Sequence, residues 1–318
     1  MHSFRPHRLV AVSVVLAATA VALADEPPPY RAAAPQPEPV LFAEGVVSTG
    51  EYESHPAFTP DGRTLYFVRS TPEFTDWTIH VTHHADGRWS TPTVAPFSGK
   101  HRDADPFITA DGQHLYFISD RPVGDEPKED MDIWVADRKE DGEWGEPRNL
   151  GAPVNTAFSE WFPTVASSGT LYFGSGRPGG HGAHDLYRAA RTDDRFAEPV
   201  NLGPDVNSAA DEFEPCVAPD ESFLVFMAAG RPDSRGGGDL YISHRKDGGW
   251  TPAKNLGPTI NGPGLEISAY LSPDGASFFF SSAREAEDSA PGARADRPRN
   301  GLGDIYQMDL AALLALAR

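Results

Sequence analysis

Asp103-Ala104-Asp105-Pro106-Phe107-Ile108-Thr109-Ala110-Asp111-Gly112-Gln113-His114-Leu115-Tyr116-Phe117-Ile118-Ser119-Asp120-Arg121 decides the fold of this chain. It reads as a short strand closing on proline, a tight turn at Asp111-Gly112, a strand of aromatic and aliphatic residues, and a loop opening on arginine. Glycine after aspartate accepts a positive φ without steric cost, so Asp-Gly between two apolar runs signals a hairpin.

The same parts recur in the same order. Leu65-Tyr66-Phe67, Leu115-Tyr116-Phe117, Leu171-Tyr172-Phe173, Leu224-Val225-Phe226 and Phe278-Phe279-Phe280 mark five copies, and a fixed period of about 50 residues signals a repeat architecture. Each copy opens on an acid, and in four of them proline follows at the third position: Glu53 to Pro56, Asp103 to Pro106, Glu160 to Pro163 and Glu212 to Pro215. Glu266 opens the fifth, where Ala269 replaces the proline. The arginine loops are Arg121-Pro122, Arg177-Pro178, Arg231-Pro232 and Arg284. A third strand begins at Asp132, Asp185, Asp239 and Asp304, with Thr78 in that place in the first copy. A fourth is expected after Trp89, Trp144, Phe196 and Trp250, running into Asn149-Leu150-Gly151, Asn201-Leu202-Gly203 and Asn255-Leu256-Gly257.

Four short strands per unit, stacked radially, predict an all-β fold, a β-propeller of four-stranded blades. The count gives five blades, with six as the alternative. The repeats run over about 53–100, 101–157, 158–209, 210–263 and 264–310 of a propeller spanning 40–310. The last copy lacks a fourth strand, and Pro39-Val40-Leu41-Phe42 resembles the missing one, so the N-terminal strand is expected to complete the C-terminal blade and close two open edges. Residues 311–318 are expected as a short helix or a frayed tail.

The first residues read as a secretory signal. Arg5 and Arg8 precede an apolar run from Leu9 to Leu23, and Ala22-Leu23-Ala24 offers a small-x-small cleavage pattern, placing cleavage after Ala24. Residues 25–39, rich in proline and alanine, are expected to form an extended linker. The location expected is periplasmic or secreted, with no integral membrane segment after cleavage. Thirty glycines and thirty prolines argue for many short elements with turns between them. Net charge is −19, and cleavage would remove two arginines and no acids. Such a surface disfavours nucleic acid and anionic lipid, and permits cations or basic peptides. Cys216 is the single cysteine. That excludes an intramolecular disulfide, and the apolar pattern around it marks a small buried hydrophobe.

The Pro-Asp-Gly turn, the Tyr-Phe strand, Ser119-Asp120-Arg121-Pro122 and the Asp-Ile/Leu-Trp/Tyr strand together resemble the WD40-like Pro-Asp β-propeller repeat family, the repeat of TolB-like propellers. The Trp…Pro…Asn-Leu-Gly…Val/Ile-Asn segment is similar to the version found in OmpA-associated envelope proteins. The resemblance covers roughly residues 40–310 and implies a periplasmic interaction module.

Candidate site residues lie on the first strand of each copy, innermost in a propeller. Side chains two apart share a strand face, which pairs Glu53 with His55, Asp103 with Asp105, Glu160 with Phe162, Glu212 with Glu214, and Glu266 with Ser268. If that face meets the central channel, seven carboxylates converge there and must be neutralised by arginine, protonation or a cation such as calcium. Trp161 and Phe213, between these positions, are expected to face the other way, into packing. Arg121, Arg177, Arg231 and Arg284 are expected to pair with the first-strand acids, or with Asp132, Asp185, Asp239 and Asp304, as scaffold devices repeated in every blade. His181 and His184 beside Asp185 form a weak transition-metal pattern, on a loop that matches Gly236-Gly237-Gly238. No hydrolase, zinc-protease, P-loop or dinucleotide motif is present.

Three readings follow. The first is a non-catalytic module in which the propeller binds an envelope protein, a peptide or a glycan, as a monomer and without a cofactor. The second is a glycoside hydrolase or lyase using acids such as Asp105 and Glu214, since glycoside hydrolysis needs two carboxylates about 5–10 Å apart. The third is a structural envelope component.

Overall fold

The computed structural model describes residues 27–124, 128–193, 195–286 and 297–317. The expected signal peptide lies outside them. Five small antiparallel sheets stand in a ring. Blade one comprises Tyr52–Phe58, Thr64–Ser70, Trp77–Ala85 and Thr93–Val94. Blade two comprises Asp103–Ile108, His114–Ser119, Asp132–Asp137 and Arg148–Asn149. Blade three comprises Glu160–Val165, Leu171–Ser175, Asp185–Ala189 and Val200–Asn201. Blade four comprises Asp211–Val217, Phe223–Ala229, Asp239–Lys246 and Lys254–Asn255. Blade five takes Glu266–Leu271, Ser277–Ser282 and Asp304–Asp309 from the C-terminal end. Its outer strand is Val40–Leu41, with Val40 opposite Gln307 and Leu41 opposite Tyr306.

The outer strands are shorter than the sequence suggests, at two residues each. They follow the tryptophans and phenylalanine as expected, and those aromatics pair with an extension of the third strand. Trp89 pairs with His84, Trp144 with Arg138, Phe196 with Arg191 and Trp250 with Arg245. The reason is a further hairpin. Asp86-Gly87 and Asp247-Gly248 both have positive φ at both residues, the conformation of a tight two-residue β-turn.

Packing lies between blades. Phe67, Phe117, Phe173, Phe226 and Phe280, the central aromatics of the second strands, are fully buried. The segment expected as a free linker is seated on the ring from residue 27 onward. Tyr30 is buried, its ring 4.8 Å from Phe58 and 5.8 Å from Phe279. Arg31 pairs with Asp274 at 2.6 Å, and the Gln36 amide donates to Asp309 at 2.9 Å. One aromatic and two polar anchors outweigh the proline–alanine composition. Gly62 makes room for them, since a Cβ there would stand 2.6 Å from the Tyr30 ring. Leu310–Leu316 forms a short helix that buries Leu313.

A repeated clamp holds each inner strand to the loop arriving from the blade before. Arg121 pairs with Asp103 at 2.7 Å, Arg177 with Glu160 at 3.2 Å and Arg231 with Glu212 at 2.8 Å. Each guanidinium also donates to a carbonyl of that loop: Phe97, Val154 and Val206. It lies over two rings of its own blade, as Arg177 does over Phe173 at 5.1 Å and Tyr187 at 5.0 Å. In blade five Arg284 reaches Glu266 through Ser282, with links of 2.9 and 2.7 Å. In blade one Arg69 takes the role, 3.4 Å from Glu53. The carboxylates are completed by the loop itself, for example Thr156, whose amide and hydroxyl both donate to Glu160.

The aspartates of the third strands serve a second device. Asp132, Asp185 and Asp239 accept from Asn149, Asn201 and Asn255 at 2.6–2.7 Å. Those asparagines accept in turn from Asn155, Asn207 and Asn261. The latter three each bridge the amide and carbonyl of one third-strand residue, as Asn207 does for Leu186. Asp304 instead accepts from the Arg299 amide.

Arg177→Ala would leave the Glu160 carboxylate and the Val154 carbonyl short of a donor. The expected loss is about 1–3 kcal/mol in unfolding free energy, measured by chemical denaturation; an unchanged midpoint would contradict the clamp.

Candidate functional site

The alternation expected along the inner strands fails at one position in every blade. His55, Asp105, Phe162, Glu214 and Ser268 all have positive φ, between 53° and 62°. At each the strand register shifts by a bulge. Bulges of this kind re-aim side chains. The preceding acid therefore turns into its clamp while the bulged residue turns to the channel. Glu53, Asp103, Glu160, Glu212 and Glu266 are fully buried against their loops. The expected convergence of seven carboxylates is corrected to two, Asp105 and Glu214.

These two meet His55. Its Nε2 lies 3.3 Å from Asp105 Oδ1 and 3.4 Å from Glu214 Oε1. Nδ1 lies 2.8 Å from the Ser54 hydroxyl. The second oxygen of Asp105 accepts from the Phe162 amide at 3.1 Å, and that of Glu214 from the Ser268 amide. The His55 and Phe162 rings stack at 5.2 Å. All five bulged residues thus lock into one plug, with His55, Asp105, Glu214 and Ser268 each no more than 7% exposed. Burial pulls the His55 imidazole down, but Asp105 and Glu214 push harder and the net direction is up. Burial raises Asp105 to about 7 against the pull of His55.

Above the plug, on the side where the inner strands begin, lies a mouth of about 290 Å³. Its walls are Phe74, Trp77, Trp161, Phe162, Phe213 and Leu265, all half-buried. Trp77 and Trp161 meet edge to face at 6.0 Å, and Arg102 lies over Trp77 at 5.6 Å. Trp161 and Phe213, expected in packing, do pack against the core and at the same time wall this mouth; both pair in regular register just ahead of the bulge. Among the described residues the Trp161 indole N–H has no acceptor. Below the plug, at the hairpin turns, lies a second depression of about 420 Å³ that includes Tyr116, Arg191 and Tyr270.

The histidine pattern on the blade three loop does not assemble as a metal site. Asp185 accepts the amides of His181 and Gly182 at 2.6 and 2.9 Å, while the His184 ring lies against Phe213 at 4.6 Å. Asp239 accepts the Arg235 and Gly236 amides in the same way. A Cβ on Gly182 or Gly236 would collide with the carbonyl of the next blade's loop, which accounts for the glycines. Among the described residues no group of three His, Cys, Asp or Glu side chains is arranged to hold a metal ion. Cys216 is buried, and burial pushes its thiol up to about 12.

No family model matches the sequence, and no curated protein matches it. Among solved structures, one described as a glycoside hydrolase aligns over 85% of this chain and 92% of its own, at 10% identity and a TM-score of 0.56. The Bacteroides ovatus xyloglucan PUL GH43B aligns over 84% of this chain and 53% of its own, at 13% identity and 0.50. TolB from Acinetobacter baumannii aligns over 81% of this chain at 15% identity and 0.48, and the chain spans 54% of that protein's length. At these identities the likeness shows the propeller fold alone.

The buried acids set a pH dependence. Asp105 rises from 3.8 to about 7, Glu53 from 4.5 to about 7 and Asp304 from 3.8 to about 7, each through burial, and His55 moves upward too. Every one binds its proton more tightly folded than unfolded, so the stability these four contribute is fully present below about pH 4 and is lost as pH climbs through about 4–7. The melting temperature is expected to fall between about pH 4 and 7, and Asp105→Asn to flatten that slope. A melting temperature that rises over the same range would contradict the assignment.

Proposed function

We propose that this chain is an exported, non-catalytic binding propeller whose recognition surface is the aromatic mouth above the plug. The observation that carries the reading is that the mouth, floored by the buried Asp105 and Glu214 of the plug, exposes almost only apolar surface. Half-buried Trp77, Trp161, Phe74 and Phe213 offer large rigid contact area at low entropic cost, the composition of a binding hot spot. A mouth so poor in exposed polar groups suits an apolar anchor residue of a partner protein or peptide better than a glycan, which needs directed hydrogen bonds. The charge of −19 favours basic residues beside that anchor. Export is supported by the sequence signal, and among the described residues no helix is long and apolar enough to cross a membrane.

One observation favours a second reading. Asp105 and Glu214 both approach a single imidazole nitrogen, which keeps their separation within the range of about 5–10 Å or less used by glycoside hydrolases. However, the imidazole fills the space between them and each spare oxygen is held by a backbone amide. The same geometry that neutralises the pair occupies the position a glycosidic oxygen would need.

Labelled basic peptides carrying a single aromatic anchor are expected to bind, measured by fluorescence anisotropy, and Trp161→Ala to weaken binding by about tenfold or more. Equal affinity for wild type and Trp161→Ala would remove the mouth as the site. Glycan hydrolysis by wild type that is lost in Glu214→Gln would replace this reading with the hydrolase.

A further inference from the structure

We propose that the cleft between blades two and three is an oxyanion-binding site, taking a small ligand with two or more carboxylate or phosphate groups. The cleft has a volume of about 440 Å³. Arg148, Arg191 and Arg195 line it, and Glu198 is the one acid among its described lining residues. In a chain with 46 acids and 27 lysines and arginines, three guanidiniums around one cavity run against the general charge. The corresponding cleft between blades one and two, about 340 Å³, is mixed in charge, with Glu143 and Glu146 beside Lys100 and Arg121.

Comparison across the repeat shows how the cleft arises. Arg138 and Arg245 lie over their cross-strand partners Trp144 and Trp250, at 5.8 and 5.1 Å. Trp144 then crosses the blade boundary and donates its indole N–H to the Tyr66 hydroxyl at 3.0 Å. In blade three the cross-strand partner is Phe196, smaller and without an N–H. Arg191 donates its Nε to the Asp193 carbonyl at 3.2 Å and lines the cleft together with Tyr116 and Arg148. Arg148 keeps an ion pair with Asp137 at 3.4 Å, with both side chains more than half exposed.

Guanidinium groups bind carboxylate and phosphate through paired parallel hydrogen bonds. Three of them gathered beside a phenol repel one another, and a multivalent anion relieves that repulsion while meeting their geometry. Arg191 and Tyr116 also belong to the depression below the plug. A ligand anchored in the cleft therefore has room there for an uncharged body. This site lies on the opposite side of the plug from the aromatic mouth and does not depend on it.

Isothermal titration of the purified protein with citrate and with inorganic pyrophosphate at low salt tests the proposal. At least one probe is expected to bind, to weaken with added salt, and to lose about tenfold in affinity in Arg195→Glu and in Arg191→Ala. Citrate alone would assign carboxylates, and pyrophosphate alone would assign phosphates. No binding of either probe, or binding unchanged in Arg195→Glu, overturns the site. The exposed position of Arg195 keeps that variant folded, and its melting temperature checks this.

Discussion

The structure depends on one charge-assisted contact made once per blade, in which a buried first-strand carboxylate is held by an arginine and by the arriving loop. An unpaired buried carboxylate would be costly, so the loop and the guanidinium are both required wherever the acid is. The guanidinium spans four elements at once: the inner strand through its carboxylate, the second and third strands through their rings, and the preceding loop through a carbonyl. This joins neighbouring sheets without any hydrogen-bonded ladder between them. The variations keep the principle while changing the parts, with a serine relay in blade five and Arg69 in blade one.

The bulge divides the inner strand between two tasks. Its first residue belongs to the clamp and its bulged residue to the channel. A left-handed backbone is uncommon for residues other than glycine and costs of order 1–3 kcal/mol, yet it occurs here in histidine, aspartate, phenylalanine, glutamate and serine alike. The ring repeats the strain while the side chains differ. Identity at the clamp and diversity at the channel are the separation expected of a common scaffold carrying a specific interior.

The blade count, the closure by Val40–Leu41 and the order of strands were legible from the spacing of aromatics, turns and arginines. The channel was legible only in part. His55, Asp105, Phe162, Glu214 and Ser268 stood out as the variable positions, but strict alternation put the wrong acids beside them. The proline that follows four of the five was the available signal, because proline inside a sheet is tolerated chiefly at bulges and edges. The mouth was not legible because it forms only where Trp77, Trp161 and Phe213 come together from three different blades. The docking of Tyr30 could not be read from a proline-rich composition, because it depends on a pocket built from blades one and five.

Closing the ring with Val40 and Leu41 has a consequence for folding. Their partners, Gln307 and Tyr306, lie almost at the opposite end of the chain, so this is the most non-local strand pairing among the described residues. Loop-closure entropy is paid before such a contact contributes. Blades two to four are each built from a continuous stretch of chain, whereas blade five waits for an outer strand from far away. The last edge to be protected is therefore the one most open to pairing with another molecule, and Tyr30 and Arg31 on the same segment add the contacts that hold it shut.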